Sequence, residues 1–240
     1  DMSGFINSLL FGIYPYIALV VLILGSIIRY DREPYTWRSG SSQLLRRKQL
    51  IWGSVLFHLG VLFIFAGHFV GLLTPIVIFD TLGISHSAKQ TLAVVAGGIA
   101  GGMAIIGATL LVHRRLFDPR VRASSSTTDT LIIILLWIQL FLGLSTIPTS
   151  LAHLDGHEMV KFMNWAQGIF TFNPDAASNV ADAALVFKLH LFLGLTIFLL
   201  FPFTRLVHML SAPIRYIWRP GYQVVRQRNR SASVNRIPAE

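Results

Sequence analysis

Eight histidines, no cysteine and long apolar runs narrow the chemistry open to this chain. His58, His68, His190 and His208 fall within apolar runs or at their ends; His86, His113, His153 and His157 fall in loops or at helix ends. An ionisable group in an apolar run is costly and faces a packed interior or a functional path. One such histidine is ordinarily a hydrogen-bonded packing residue. Two on each of two runs point to metal, because neutral imidazole is a common ligand and paired imidazoles hold haem iron axially. The missing cysteine removes disulfides, iron–sulfur ligation, thiol catalysis and covalent c-type haem. Histidine is left to hold any metal.

The elements that must position these histidines are readable from composition. Hydrophobic residues make up 53% of the 240 and charged residues 13%, against about 25% charged in soluble domains; mean hydropathy is +0.61. A helix needs roughly 20 apolar residues to span the hydrocarbon core, and five runs qualify, at about 5–28, 51–73, 92–112, 131–147 and 183–208. Backbone groups in lipid find partners only within a helix or closed barrel, and runs such as LIIILLWIQLFLGL lack the two-residue alternation of a barrel strand. The expected fold class is all-α, a polytopic membrane bundle of five transmembrane helices. Gly97, Gly98, Gly101, Gly102 and Gly107 in the third run fit close helix packing. No basic residue precedes Arg29, so the first run reads as a retained anchor and not a signal peptide. Residues 1–222 form the expected membrane domain, and 223–240 a basic cytoplasmic tail.

Orientation follows from lysine and arginine placement. Arg29, Arg32, Arg38, Arg46, Arg47 and Lys48 follow the first run, and Arg114, Arg115, Arg120 and Arg122 follow the third. Arg205, Arg215, Arg219, Arg226, Arg228, Arg230 and Arg236 close the fifth and the tail, leaving only Lys89, Lys161 and Lys188 on the other side. The N-terminus is expected outside, in the periplasm, and the C-terminus in the cytoplasm. The net charge of +9 is then mostly topology. Basic residues scattered over three cytoplasmic segments give no nucleic-acid patch, although the tail has the charge to touch anionic lipid.

With that topology, the second run rises outward from His58 to His68 and the fifth descends inward from His190 to His208. The two antiparallel helices offer an outer pair, His68 with His190, and an inner pair, His58 with His208. Two stacked haems with two imidazole ligands each are the expectation. The spacings are unequal: ten residues rise about 15 Å in a helix and eighteen about 27 Å, so tilt and a bend at Pro202 must absorb the difference. Two axial imidazoles leave iron no open position, which favours electron transfer over substrate activation. Haem propionates call for basic partners, with Arg114, Arg115 and Arg205 on the inner side and Lys89 or Lys188 on the outer.

These residues sit within motifs that resemble the gamma-subunit family of respiratory nitrate reductases, membrane di-haem cytochromes b. The likeness covers about residues 9–222. It rests on IYPYIA (13–18), RYD (29–31), YTWR (35–38), SSQLL (41–45), LFHLG (56–60) and GHFVGLLTP (67–75). AGG (96–98), RRLFDPRVRA (114–123), FKLHLFLG (187–194) and FPFTRLVH (201–208) complete it. The resemblance implies the same histidine pairs, and oxidation of a quinol, menaquinol or ubiquinol, beside the outer haem. It places a quinol-site lysine on Lys89, with Gly67 and His68 lining the pocket. It implies electron delivery to a cytoplasmic iron–sulfur (beta) subunit and a molybdenum catalytic (alpha) subunit, in nitrate respiration or assimilation. The setting is the cytoplasmic (inner) membrane of a bacterium or archaeon, in a heterotrimer that further dimerises. The stretch Ile76–Ser87 departs from the family pattern, Lys188 stands where arginine is expected, and nothing beyond Tyr222 matches.

Two other readings compete. Hydrogenases, formate dehydrogenases and heterodisulfide-reductase-like complexes use related di-haem anchors, against which RYD, YTWR and RRLFDPRVRA favour the nitrate reductase version. A transporter or haem-free scaffold would make the four histidines a coincidence, and neither inverted repeats nor broken mid-membrane helices are evident in the sequence.

Overall fold

A computed structural model describes residues 2–37 and 45–211. Arg38, most of SSQLL, Arg215, Arg219 and the 223–240 tail lie outside the described residues. Among the described residues every regular element is helical. Five helices are long and apolar enough to cross a membrane: α1 Met2–Arg32, α2 Arg47–Leu73, α4 His86–Phe117, α6 Thr127–Ala152 and α8 Leu185–Phe203. Three shorter helices join them, α3 Ile76–Thr81, α5 Pro119–Ala123 and α7 His157–Phe170.

The spans pack as an open series, α2 against α4, α4 against α6, α6 against α8, and α8 against α1. Small residues let α2 and α4 approach closely. A Cβ on Gly60 would sit 2.6 Å from the Ala100 carbonyl oxygen and the Ala104 amide nitrogen, and one on Gly107 would strike the Phe57 backbone and lie 2.7 Å from the Gly53 carbonyl. Gly101 meets Leu144 of α6, whereas Gly97 and Gly102 have nothing near. Only part of the glycine run is therefore a packing device.

The boundaries differ from the sequence expectation in instructive ways. The third span starts at His86, not at about 92, because the Ser85 hydroxyl caps it by accepting from the Ala88 amide at 3.1 Å; Lys89 thus lies inside the helix and not in the loop before it. The fourth span does not end at about 147, since Pro148 is tolerated in a first helical turn and the chain continues helically through Ile147–Ala152. The fifth is not helical to His208. Regular α-helix stops at Leu200, a 3₁₀ turn covers Phe201–Phe203, Thr204 is extended (φ −123°, ψ 176°), and a 3₁₀ stretch runs Arg205–Ser211.

A helical cap over the Lys89 end was not expected. α7 buries Met163, Trp165, Ala166 and Ile169, and Trp165 Nε1 donates to the Phe11 carbonyl at 2.9 Å. A 3₁₀ stretch, Ala176–Val180, packs beneath α7.

Candidate functional site

α2 packs on α4 and α8 packs on α6 and α1, but α2 and α8 share no extended contact of their own. The histidines face each other across that gap. The rings of His58 and His208 have centroids 6.2 Å apart, and those of His68 and His190 are also 6.2 Å apart. Two imidazoles sharing one metal at about 2.0–2.1 Å per bond, each centroid about 1.1 Å behind its nitrogen, could lie up to roughly 6.3 Å apart. Both pairs match that spacing.

Ring orientation agrees with ligation. Nδ1 of His58 bonds the Ser54 carbonyl at 2.7 Å, Nδ1 of His68 the Ile64 carbonyl at 2.8 Å, and Nδ1 of His208 the Arg205 carbonyl at 2.5 Å. A carbonyl accepts only, so Nδ1 carries the proton and Nε2 keeps its lone pair for a metal. His190 differs: its Nδ1 is buried without a partner, and its ring rests on Gly143, where a Cβ would lie 3.0 Å from Cε1. Gln139 Nε2 holds the His190 carbonyl at 3.0 Å. No group of three or more His, Cys, Asp or Glu suited to a bare metal ion occurs among the described residues. Iron held by one such pair would need its other ligands from a macrocycle.

The break after Leu200 resolves the unequal spacings. His58 and His68 are ten residues apart on one helix, about 15 Å of rise. His190 to Leu200 is also ten residues, and the chain then leaves the α-helical path, so His208 returns to the level of His58. A straight helix would have carried it about 12 Å too far.

The end of the bundle that carries His58 and His208 is basic. Arg205 starts the stretch that carries His208, and Arg115 lies within electrostatic reach of both Arg205 and Arg114. Arg115 also pairs with Asp129 at 3.8 Å, and buried Arg114 donates to the Leu45 carbonyl at 2.7 Å. Asp118 caps α5 by accepting from the Val121 and Arg120 amides and pairs with Arg46 at 2.8 Å. Those amides and that guanidinium hold its carboxyl below the ordinary range.

At the opposite end Lys89 is 7% exposed. Its ammonium donates to the Gly71 carbonyl at 2.9 Å, contacts Met163 Sδ at 2.8 Å and stands 3.9 Å over the Phe79 ring. Gly71 lies three residues beyond His68. Gly67 and Gly71 each have open space where a side chain would project, leaving a bare strip beside the outer histidine. Lys188 turns away from this region and donates to the Ala181 carbonyl at 2.6 Å.

Sequence reasoning missed Phe79, Met163 and Gln167. Gln167 Nε2 donates to the Leu72 and Thr74 carbonyls at 2.9 and 3.2 Å and fixes the end of α2. The divergent stretch Ile76–Ser87 forms α3 and a turn at Gly83 (φ 70°), which brings Phe79 to Lys89. The available signal was the apolar spacing of Phe162, Trp165, Ala166 and Ile169 on one helical face.

The sequence compares closely with known proteins. Residues 7–228 match a family model described as nitrate reductase gamma subunit. The chain is similar to the respiratory nitrate reductase 1 gamma chain of Escherichia coli K12, 50% identical over 225 residues, covering 94% of this chain and 99% of that one. It is 49% identical over 227 residues to the respiratory nitrate reductase 2 gamma chain of the same strain, covering 95% and 100%. To the nitrate reductase gamma chain of Bacillus subtilis 168 it is 41% identical over 231 residues, again covering 95% and 100%.

Proposed function

The chain belongs to the nitrate reductase gamma subunit family, and from that premise we propose that it is the quinol-oxidising cytochrome b subunit of its complex. As a multi-pass membrane subunit of a respiratory nitrate reductase, it would take electrons from menaquinol or ubiquinol at the outer end of α2. They would leave on the cytoplasmic side to an iron–sulfur (beta) subunit serving a molybdenum (alpha) subunit, where nitrate is reduced.

The observation that carries this reading is the equal 6.2 Å separation of the two histidine pairs across the α2–α8 gap. His68 and His190 would hold the outer haem and His58 and His208 the inner. Two b haems held there would supply one-electron transfer across the bilayer. Arg114, Arg115 and Arg205 supply positive charge for carboxylates at the inner end. Lys188, already bonded to Ala181, is the weaker candidate at the outer end.

Lys89 would act on the quinol directly. Its ammonium, partly held by Gly71 and Met163, would donate to a quinol oxygen and stabilise the anion as protons leave. The bare strip at Gly67 and Gly71 provides room for a flat ring beside His68. The positive-inside count supports a periplasmic N-terminus and a cytoplasmic C-terminus, in the inner membrane of a bacterium or archaeon. Protons would then be released outside while electrons cross inward, building proton-motive force without a proton channel in this chain.

A reduced-minus-oxidised spectrum of the purified complex tests this reading. Two b-type components are expected, and absence of any b-type band overturns it. Co-purification of a molybdenum subunit supports the nitrate reductase assignment, whereas a nickel–iron subunit would redirect the cytochrome to a hydrogenase.

A further inference from the structure

The break in the fifth span leaves main-chain acceptors where the helical ladder has stopped. Pro202 has no amide hydrogen, and Thr204 is extended. The Leu206 amide, which in a continuing α-helix would serve the Pro202 carbonyl, bonds the Thr204 hydroxyl at 3.3 Å. Carbonyls at membrane depth are costly without a donor.

Arg29, in the last turn of α1, supplies that donor. Its Nη1 donates to the Pro202 carbonyl at 2.7 Å and to the Thr204 carbonyl at 2.8 Å. The other edge of the fork bonds the Thr36 carbonyl at 3.0 Å and the Thr36 hydroxyl at 3.3 Å. One turn earlier, Gly25 lets α1 lie against the break, because a Cβ there would sit 2.8 Å from Pro202 Cγ. Residues 25 and 29 share one helical face. α1 thus presents a bare spot for the proline ring and a guanidinium for the carbonyls beside it.

The stretch beginning at Arg205 carries His208, whose ring stands 6.2 Å from that of His58. We infer that Arg29 is the positioning residue for His208: by bridging the Pro202 and Thr204 carbonyls to the Thr36 turn, it sets the direction in which the chain leaves α8 and so the reach of the inner ligand. A planar fork with donors on two edges is needed, and a lysine ammonium cannot span the same set. A charge serving only as a topological anchor would need none of these bonds.

The inference rests on the haem reading for its spectroscopic consequence but not for its structural one. The experiment compares wild type, Arg29→Lys and Arg29→Gln in the intact complex, by paramagnetic resonance of the oxidised haems and by hydrogen exchange of the Arg205–His208 amides. Both variants should shift or broaden the inner-haem signal, leave the outer-haem signal in place and speed that exchange at least severalfold, with Lys milder than Gln. Unchanged inner signal and unchanged exchange overturn the inference. Equal disturbance of both haems overturns it too, since that indicates general loss of fold. Faster exchange in variants of a protein with no b-type haem keeps Arg29 as the residue that sets this segment and removes the haem reading. Should the Gln variant not assemble, the Lys variant, which keeps the charge, decides alone.

Discussion

Lys89 and Gly71 are joined by a 2.9 Å hydrogen bond from the lysine ammonium to the glycine carbonyl, tying the first turn of α4 to α2 one turn beyond His68. The bond fixes an ammonium one turn from His68 while the strip at Gly67 and Gly71 stays open. A positioned cation beside an uncrowded helix face is the arrangement on which the quinol role proposed for Lys89 rests.

Lys89→Ala should therefore slow quinol oxidation by about 10²-fold, the lower range for losing a positioned donor to a developing anion. Both haem components should remain in the reduced-minus-oxidised spectrum. Stopped-flow haem reduction by quinol measures it, and unchanged kinetics would remove the role assigned to Lys89.

The two histidine pairs are separated along α2, so their losses should be separable. His68→Leu should remove the outer haem component and His208→Leu the inner, each leaving the other. Spectral titration with haem quantification checks this, and loss of both components from either variant counts against two independent sites.

Close packing of α2 on α4 has its own consequence. Gly107→Leu places a side chain against the Phe57 backbone and should destabilise the subunit by about 1–3 kcal/mol, as overpacking does. Gly97→Ala, facing open space, should be near neutral. Thermal unfolding in detergent separates them, and equal melting temperatures would contradict the crossing.

The outer cap should respond to pH at the extremes. Lys161 bonds Asp182 at 2.8 Å and Glu158 at 3.0 Å. The bond from Lys161 lowers the Asp182 carboxyl, and those from Asp182 and Glu158 raise the Lys161 ammonium. A carboxyl lowered on folding stabilises above its unfolded value and ceases to as pH falls through the folded value, which puts the acid limb below about pH 4. An ammonium raised on folding stabilises below its unfolded value and ceases to as pH rises through the folded one, which puts the alkaline limb above about pH 10.4. Stability should be level between, and Lys161→Met should flatten the alkaline limb and shrink the acid limb to the part that the lowered Asp118 carboxyl leaves. Melting temperature against pH measures this, and an alkaline limb that persists or an acid limb that does not shrink would assign them to other groups.

Much of this molecule is visible in one dimension, for reasons that belong to the bilayer. Lipid demands long apolar helices, so five spans show in hydropathy alone. Four histidines in apolar runs stand out because such groups are costly there, and antiparallel order names their partners without coordinates. The amphipathic cap was harder to see. α7 is too short and too polar to register as a span, yet it delivers Met163 to Lys89 and Gln167 to the end of α2.

Residue type and order along the chain thus settle which spans exist and which histidines face each other. Their heights and the walls around them come from packing between distant segments. His208 reaches the level of His58 because Arg29, more than 170 positions away, bonds the carbonyls that Pro202 and Thr204 leave free of the helix. No local propensity encodes that, since the helix ends where a neighbouring span supplies both a bare surface and a donor. The open gap between α2 and α8 has the same origin. Each helix has its own partners, and the space between them holds the two histidine pairs.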